Sequence, residues 1–238
     1  TKMALKNGVD LIIELPFVYG TRSAEYFAEG SIKILDQTKV VDYLVFGSEI
    51  GEITPIEYLA DLFLKEPDFF QIQLKNYLNQ GLSFPAAREN AAIDYVEKIK
   101  LKHIDKNNIK EVISEPNNIL GIEYLKAIKK IKSEIKPFTI KRTHKNYHSK
   151  KTSYKIASAT AIRNLIYKDQ IKNIKKLIPP VSHDIIKSDY KKGKIPIKKD
   201  YLGISILNKL RKTSTAELRN YLEIGNGLEN RIYQAAFN

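Results

Sequence analysis

Three short groups of residues have the types and spacing to carry chemistry. The first is Phe46-Gly47-Ser48-Glu49, directly after the apolar run Val40–Phe46. If that run is a parallel strand, its carboxyl end is where ligands of α/β sheets sit, and Gly47 lets a charged or planar group approach the backbone. Gly-Ser is equally the composition of an ordinary turn. The second is Pro116-Asn117-Asn118, paired with Arg142 at the end of a later apolar run. Asn at a helix start also serves as a plain cap, and Arg at a strand end can simply be solvated. The third is Ser158-Ala159-Thr160-Ala161-Ile162-Arg163. Ser158 is a good N-cap, which would leave the N–H groups of the first turn, the Thr160 hydroxyl and the Arg163 guanidinium facing a phosphate. The bland alternative is a capped helix carrying a surface Arg.

Other chemistries are excluded or unsupported. The chain has 238 residues and no Cys, so thiol catalysis, disulfides, Cys-ligated zinc and iron–sulfur clusters are out. His103, His144, His148 and His183 lack clustered partners, and no metal site is expected of them. Neither a P-loop nor a dinucleotide glycine fingerprint occurs. No apolar run reaches the ~18–20 residues of a membrane span, and a soluble cytoplasmic protein without membrane contact is expected.

These groups need elements to position them. Val9–Leu15, stopped by Pro16, reads as a buried strand; Ser23 can cap a helix through about Asp36; Val40–Phe46 reads as a second strand. That order predicts a βαβ unit and a parallel sheet. Residues 54–100 carry helical periodicity broken at Pro67 and at Gly81–Pro85, a helical insertion. Residues 101–112 read as a polar connector, Pro116 opens a helix through about Ile131, and Pro137–Ile140 is a third strand. A basic loop over 141–155 leads to a helix at 157–167, and short helices follow. The predicted organisation is an α/β domain over 1–170 and a mainly helical region over 171–238. The chain opens at Thr1 and closes at Asn238 within helix-like stretches, as expected of an internal piece of a longer protein.

The net charge of +13 is uneven. Residues 126–200 hold 22 Lys/Arg against 5 Asp/Glu, while the remainder is slightly acidic. Clustered cations beside aromatic residues and His suit a polyanion such as RNA, since they neutralise phosphates and offer stacking faces. A solvated Lys-rich surface is the plainer reading.

In order along the chain, Lys2-Met-Ala-Leu5, Gly8–Pro16, Ser23-Ala-Glu25, Phe46–Glu49, Pro116–Gly121, Ile156–Arg163 and Gly227–Ile232 resemble the tRNA(Met) cytidine acetate ligase family of HxGH nucleotidylyltransferases. The resemblance implies a Rossmann-like parallel sheet of the nucleotidylyltransferase type, with a helical insertion and a mainly α-helical C-terminal region. It implies an ATP-dependent ligase that activates acetate as acetyl-adenylate and acetylates N4 of a tRNA anticodon cytidine. By motif, Gly47, Asn117 and Arg142 would contact ATP, and Ser158, Thr160 and Arg163 would contact phosphate. Mg2+ is expected with the ATP, and tRNA would lie on the basic 126–200 stretch. The family's HxGH motif does not occur in this chain, so its catalytic His pair lies outside it, and this stretch alone is not expected to be active. An adenylyltransferase acting on another small molecule, or a non-catalytic RNA-binding derivative of the same fold, are the alternatives.

Overall fold

The computed structural model describes residues 1–100, 106–142, 157–197, 200–221, 224–225 and 227–237. They fall into two compact units, residues 13–151 forming one and residues 1–12 with 152–238 the other. The sequence pattern puts a boundary near residue 170, with the 157–167 helix in the first domain. By contacts, that helix belongs with the chain that follows it.

In the unit of residues 13–151, a short helix α1 (Phe17–Gly20) precedes α2 (Ala24–Gln37), which leads to strand β1 (Tyr43–Ser48). Then come α3 (Ile53–Lys65), α4 (Asp68–Asn79), α5 (Phe84–Ile99), α6 (Lys106–Ser114) and α7 (Pro116–Lys130), and strand β2 (Lys136–Lys141). Helices α3, α4 and α5 separate where Pro67 and the Gly81–Pro85 stretch predict. Proline cannot donate within a helix, and Gly81 takes φ +84°, so both punctuate the pattern. Ser23 precedes α2 as expected, but its side chain makes no capping bond.

Two expectations are corrected. Val9–Leu15 is not a strand: it has no ladder partner among the described residues, and Val9, Leu11 and Ile13 are exposed. An apolar run forecasts burial, but a strand exists only where another strand accepts its backbone hydrogen bonds. The parallel partner of β1 is instead β2, in the register Tyr43↔Lys136 through Ser48↔Lys141, with α3 to α7 inside the crossover. The polar connector drawn over 101–112 overlaps α6, whose Ile109, Val112 and Ile113 are buried. Three apolar residues at helical spacing outweigh the surrounding Lys and Asn once a core stands beside them.

That core joins Ile56, Leu59 and Phe63 of α3 to Phe70, Ala91, Val96, Ile109, Ile122 and Leu125. A smaller cluster of Ile32, Ala127, Ile128 and Ile135 ties α2 to α7 and the approach to β2. Leu44, Phe46 and Ser48 face this packed side, while Tyr43, Val45, Phe138 and Ile140 on the other sheet face are 53–64% exposed. Helix α7 reaches β1 because Gly121 has no side chain: a Cβ there would lie 2.5 Å from the Phe46 ring.

One buried hydroxyl in this core is uncompensated. The Tyr58 Oη has no hydrogen-bond partner among the described residues, and burial, with Tyr95 adding to it, pushes the phenol up to about 12 from its ordinary 10.0. Both folded and unfolded chains keep this proton below pH 10. As pH rises from 10 toward 12 the unfolded chain ionises first, so stability is lost across that window. Replacing Tyr58 by Phe is expected to raise stability by about 1 kcal/mol near neutral pH and to flatten the alkaline loss. Urea midpoints of both proteins at about pH 8 and about pH 11 check it.

The other unit holds α8 (Ala159–Tyr167), a 3₁₀ turn (Ile171–Lys176), α9 (Pro180–Lys191), α10 (Asp200–Arg211), α11 (Thr215–Leu218) and α12 (Leu228–Phe237). Asn7, after the helical turn Lys2–Lys6, donates from Nδ2 to Ser182 Oγ at 2.9 Å and joins the N-terminal residues to α9. Ser214 caps α11 in a full capping box with Glu217. Among the described residues, no helix is long and apolar enough to cross a membrane.

Candidate nucleotide site

The carboxyl ends of β1 and β2 gather the first two groups singled out in the sequence. After β1, the chain is held by polar bonds as well as by the burial of Ile50 in the core. Ser48 is fully buried; its Oγ accepts from Gly51 N at 3.0 Å and lies 2.6 Å from Thr139 Oγ1 on β2. Ser48 is thus a structural part of the turn, in line with its plainer reading.

Asn118 is also fully buried. Its Oδ1 accepts from Glu49 N at 2.8 Å and Ile50 N at 3.2 Å, and its Nδ2 donates to the Glu111 carbonyl at 3.3 Å. The first two bonds lock the start of α7 against the end of β1, and the third ties it to α6. Glu49 completes the lock from the other side. Its Oε2 accepts from Asn118 N at 3.1 Å and its Oε1 from Asn117 Nδ2 at 2.5 Å. A carboxylate here satisfies one of the N–H groups that a helix start leaves unpaired and suits the positive end of its dipole.

Arg142 follows β2 directly, and its N–H donates to Ser48 O at 2.9 Å, extending the ladder by one bond. Its side chain lies across Gly47, where a Cβ would stand 3.2 Å from Arg142 Cγ and 3.8 Å from Nη1. Gly47 therefore gives the Arg142 side chain room beside the strand end. Gly47, Asn117 and Arg142, far apart in sequence, meet at one end of the strand pair. Sequence reasoning passes over Glu49 and Asn118 as ligand-site supports. The signal is present in the tandem Asn pair and in an acid one residue past the strand, but the bond between them is visible only in three dimensions.

The third group lies in the other unit. Ser158 caps α8, its Oγ accepting from Ala161 N at 3.1 Å, as its residue type predicts. Arg163 donates to Thr160 Oγ1 at 3.2 Å, so the guanidinium and hydroxyl sit together near the helix start. Of the four His, only His183 lies within the described residues; it is buried in α9. The basic loop, including His144 and His148, lies outside the described residues except at its first two positions.

The basic stretch itself divides in two. At its start, Lys126 pairs with Glu123 at 2.7 Å, and Lys129 with Asp61 at 2.7 Å and Glu57 at 3.3 Å. Burial opposes the Lys129 charge, but these carboxylates outweigh it and raise its pKa. These cations are engaged with the acidic faces of their own unit. From Lys168 through the 3₁₀ turn and α9 to Lys194, by contrast, the lysines are exposed.

Parallel strands with crossover helices, and polar groups collected beyond the strands' carboxyl ends, define an α/β protein of the kind that takes its ligands at that edge of the sheet. The chain belongs to the HIGH nucleotidyl transferase family, whose match runs over residues 1–238. It is 50% identical over 238 residues to the tRNA(Met) cytidine acetate ligase of Halothermothrix orenii, covering 100% of this chain and 56% of that protein. It is 41% identical to the protein of the same name from Alkaliphilus metalliredigens, covering 99% and 56%. Thermotoga maritima TmcAL bound with alpha-thio ATP superposes at TM-score 0.89 with 31% identity, over 99% of this chain and 54% of that one. The apo form of TmcAL gives 0.91, also at 31% identity, over 100% and 55%. The fold is thus the expected α/β nucleotidylyltransferase type, in a chain spanning about 56% of the length of these curated relatives.

Proposed function

We propose that this chain is the nucleotide-binding part of an ATP-dependent ligase that acetylates N4 of a tRNA(Met) anticodon cytidine. The observation that carries the reading is the meeting of Gly47, Asn117 and Arg142 at the carboxyl ends of β1 and β2. The relatives' name, tRNA(Met) cytidine acetate ligase, and the ATP analogue bound to TmcAL support it.

In the first step an acetate oxygen attacks the α-phosphorus of ATP, the bond to the β-phosphate oxygen breaks, and pyrophosphate leaves. In the second, the cytidine N4 amine attacks the acetyl carbon, AMP leaves with the carbon–oxygen electron pair, and N4 loses a proton. Arg142 balances charge on the phosphates as the first bond breaks. Gly47 leaves the room in which the Arg142 side chain lies beside the strand end. Mg2+ would enter on the triphosphate's own oxygens, because Glu49 has both carboxylate oxygens engaged by N–H donors. Ser158, Thr160 and Arg163 offer a phosphate a capped helix start, a hydroxyl and a guanidinium. The exposed lysines from Lys168 to Lys194 suit the tRNA backbone, in the cytoplasm where tRNA is processed.

Acetate-dependent exchange of pyrophosphate into ATP, measured on the full-length protein, tests the reading; a folded preparation without exchange removes it. Arg142→Ala is expected to weaken ATP binding by roughly 10- to 100-fold. Lys136→Ala, at the opposite end of β2, is expected to leave it within about twofold by titration calorimetry. Equal losses would place the nucleotide elsewhere.

A further inference from the structure

The Asn117 amide has a defined direction, and a residue without an assigned role sets it. Glu49 is almost completely buried and, as a carboxylate, only accepts hydrogen bonds. Its Oε2 is taken by the Asn118 backbone N–H, a donor that cannot turn because the helix holds it. Its Oε1 faces the Asn117 side chain. Only the NH2 end of an amide is tolerated there, so the Asn117 carbonyl oxygen must point the other way. Asn117 is half-buried, and no described residue is found donating to its Oδ1.

We infer that Glu49 is a positioning residue that holds the Asn117 amide with its oxygen toward the nucleotide, so that the site selects a hydrogen-bond donor of the nucleoside. This rests on the nucleotide reading above. Two parts of ATP carry such donors, the adenine amine and the ribose hydroxyls, while the triphosphate carries only acceptors. Asn117 therefore reads the nucleoside, and Arg142 the charge.

The carboxamide variant reverses the arrangement rather than deleting it. In Glu49→Gln, the oxygen of the new side chain must stay on the fixed Asn118 N–H, which turns its NH2 toward Asn117. The Asn117 amide then flips, putting its oxygen on the introduced carboxamide and its own NH2 toward the nucleotide. A donor meets a donor, and the selectivity is lost.

The experiment is calorimetric titration of the full-length protein with ATP, 2′-deoxy-ATP, 3′-deoxy-ATP, purine riboside triphosphate and inorganic tripolyphosphate. Wild type, Glu49→Gln, Asn117→Ala and the double variant are compared. Wild type is expected to bind one analogue, the one lacking the selected donor, roughly 10-fold or more weaker than ATP, which tells amine from hydroxyl. Glu49→Gln is expected to lose roughly 10-fold in ATP affinity and its discrimination among these nucleotides, with tripolyphosphate binding unchanged. In the Asn117→Ala background, Glu49→Gln is expected to add nothing. A Glu49→Gln protein that keeps the wild-type discrimination overturns the inference. So does a loss that persists without the Asn117 side chain, or one that falls equally on tripolyphosphate, since each means that Glu49 acts only on the fold. Failure of the wild type to bind ATP removes the nucleotide reading itself, and this inference with it.

Discussion

Replacing Asn118 by Ala is expected to cost about 3–5 kcal/mol of stability, a large share of what a domain of this size has. The change strands two buried backbone donors, the N–H groups of Glu49 and Ile50, both of which now end on Asn118 Oδ1. A buried unpaired donor costs about 1–3 kcal/mol, and the truncation leaves a cavity as well. Among the described residues no other side chain accepts from these two N–H groups, and Ser48 Oγ is already used by Gly51 N. Urea unfolding followed by tyrosine emission checks this, since the chain has 14 Tyr and no Trp. A loss below about 1 kcal/mol would mean that water replaces the amide.

Gly121→Val is expected to cost about 2–4 kcal/mol and to weaken nucleotide binding with it. A Cβ at position 121 would stand 2.5 Å from the Phe46 ring and 3.4 Å from Ile56 Cγ2. The ring has little room to yield, since it packs against Tyr124 on one side and the main core on the other. Helix α7 must therefore back away from β1, and its first turn carries Asn117 and Asn118. Two measurements separate the effects: the urea midpoint reports packing, and the affinity for ATP reports where the helix start has gone. A variant that is less stable yet binds ATP normally would show that the Glu49–Asn118 lock holds the helix start independently.

Much of the fold is legible in single residues. Pro67 and Gly81 mark the ends of α3 and α4 because their backbone limits act locally, whatever surrounds them. Ser158 caps α8 for the same kind of reason: the bond it makes spans three residues. The strand at Val9–Leu15 and the connector at 101–112 fail for the opposite reason. Whether an apolar run becomes a strand depends on a partner elsewhere. Whether Lys106–Ser114 coils depends on a core that can receive Ile109, Val112 and Ile113.

The candidate site divides along the same line. Gly47, Asn117 and Arg142 are nameable from composition, local spacing and resemblance, because each must offer a particular chemistry. Their meeting depends on β1 and β2 lying side by side in one register and on the bonds that hold the start of α7 against Glu49. Glu49 shows the difference most clearly. In the sequence it is an acid after a strand; in the structure it turns one amide and pins the start of a helix 69 positions away. By itself the sequence determined which groups are present, where helices stop, the uneven charge and the family. Only the tertiary structure decided which strands pair, that the lysines of α7 are already engaged by Glu57, Asp61 and Glu123, and which way Asn117 faces. Caps and breaks are settled by bonds between near neighbours. Pairing, neutralisation and amide direction are settled by groups that chain folding alone brings within about 3 or 4 Å.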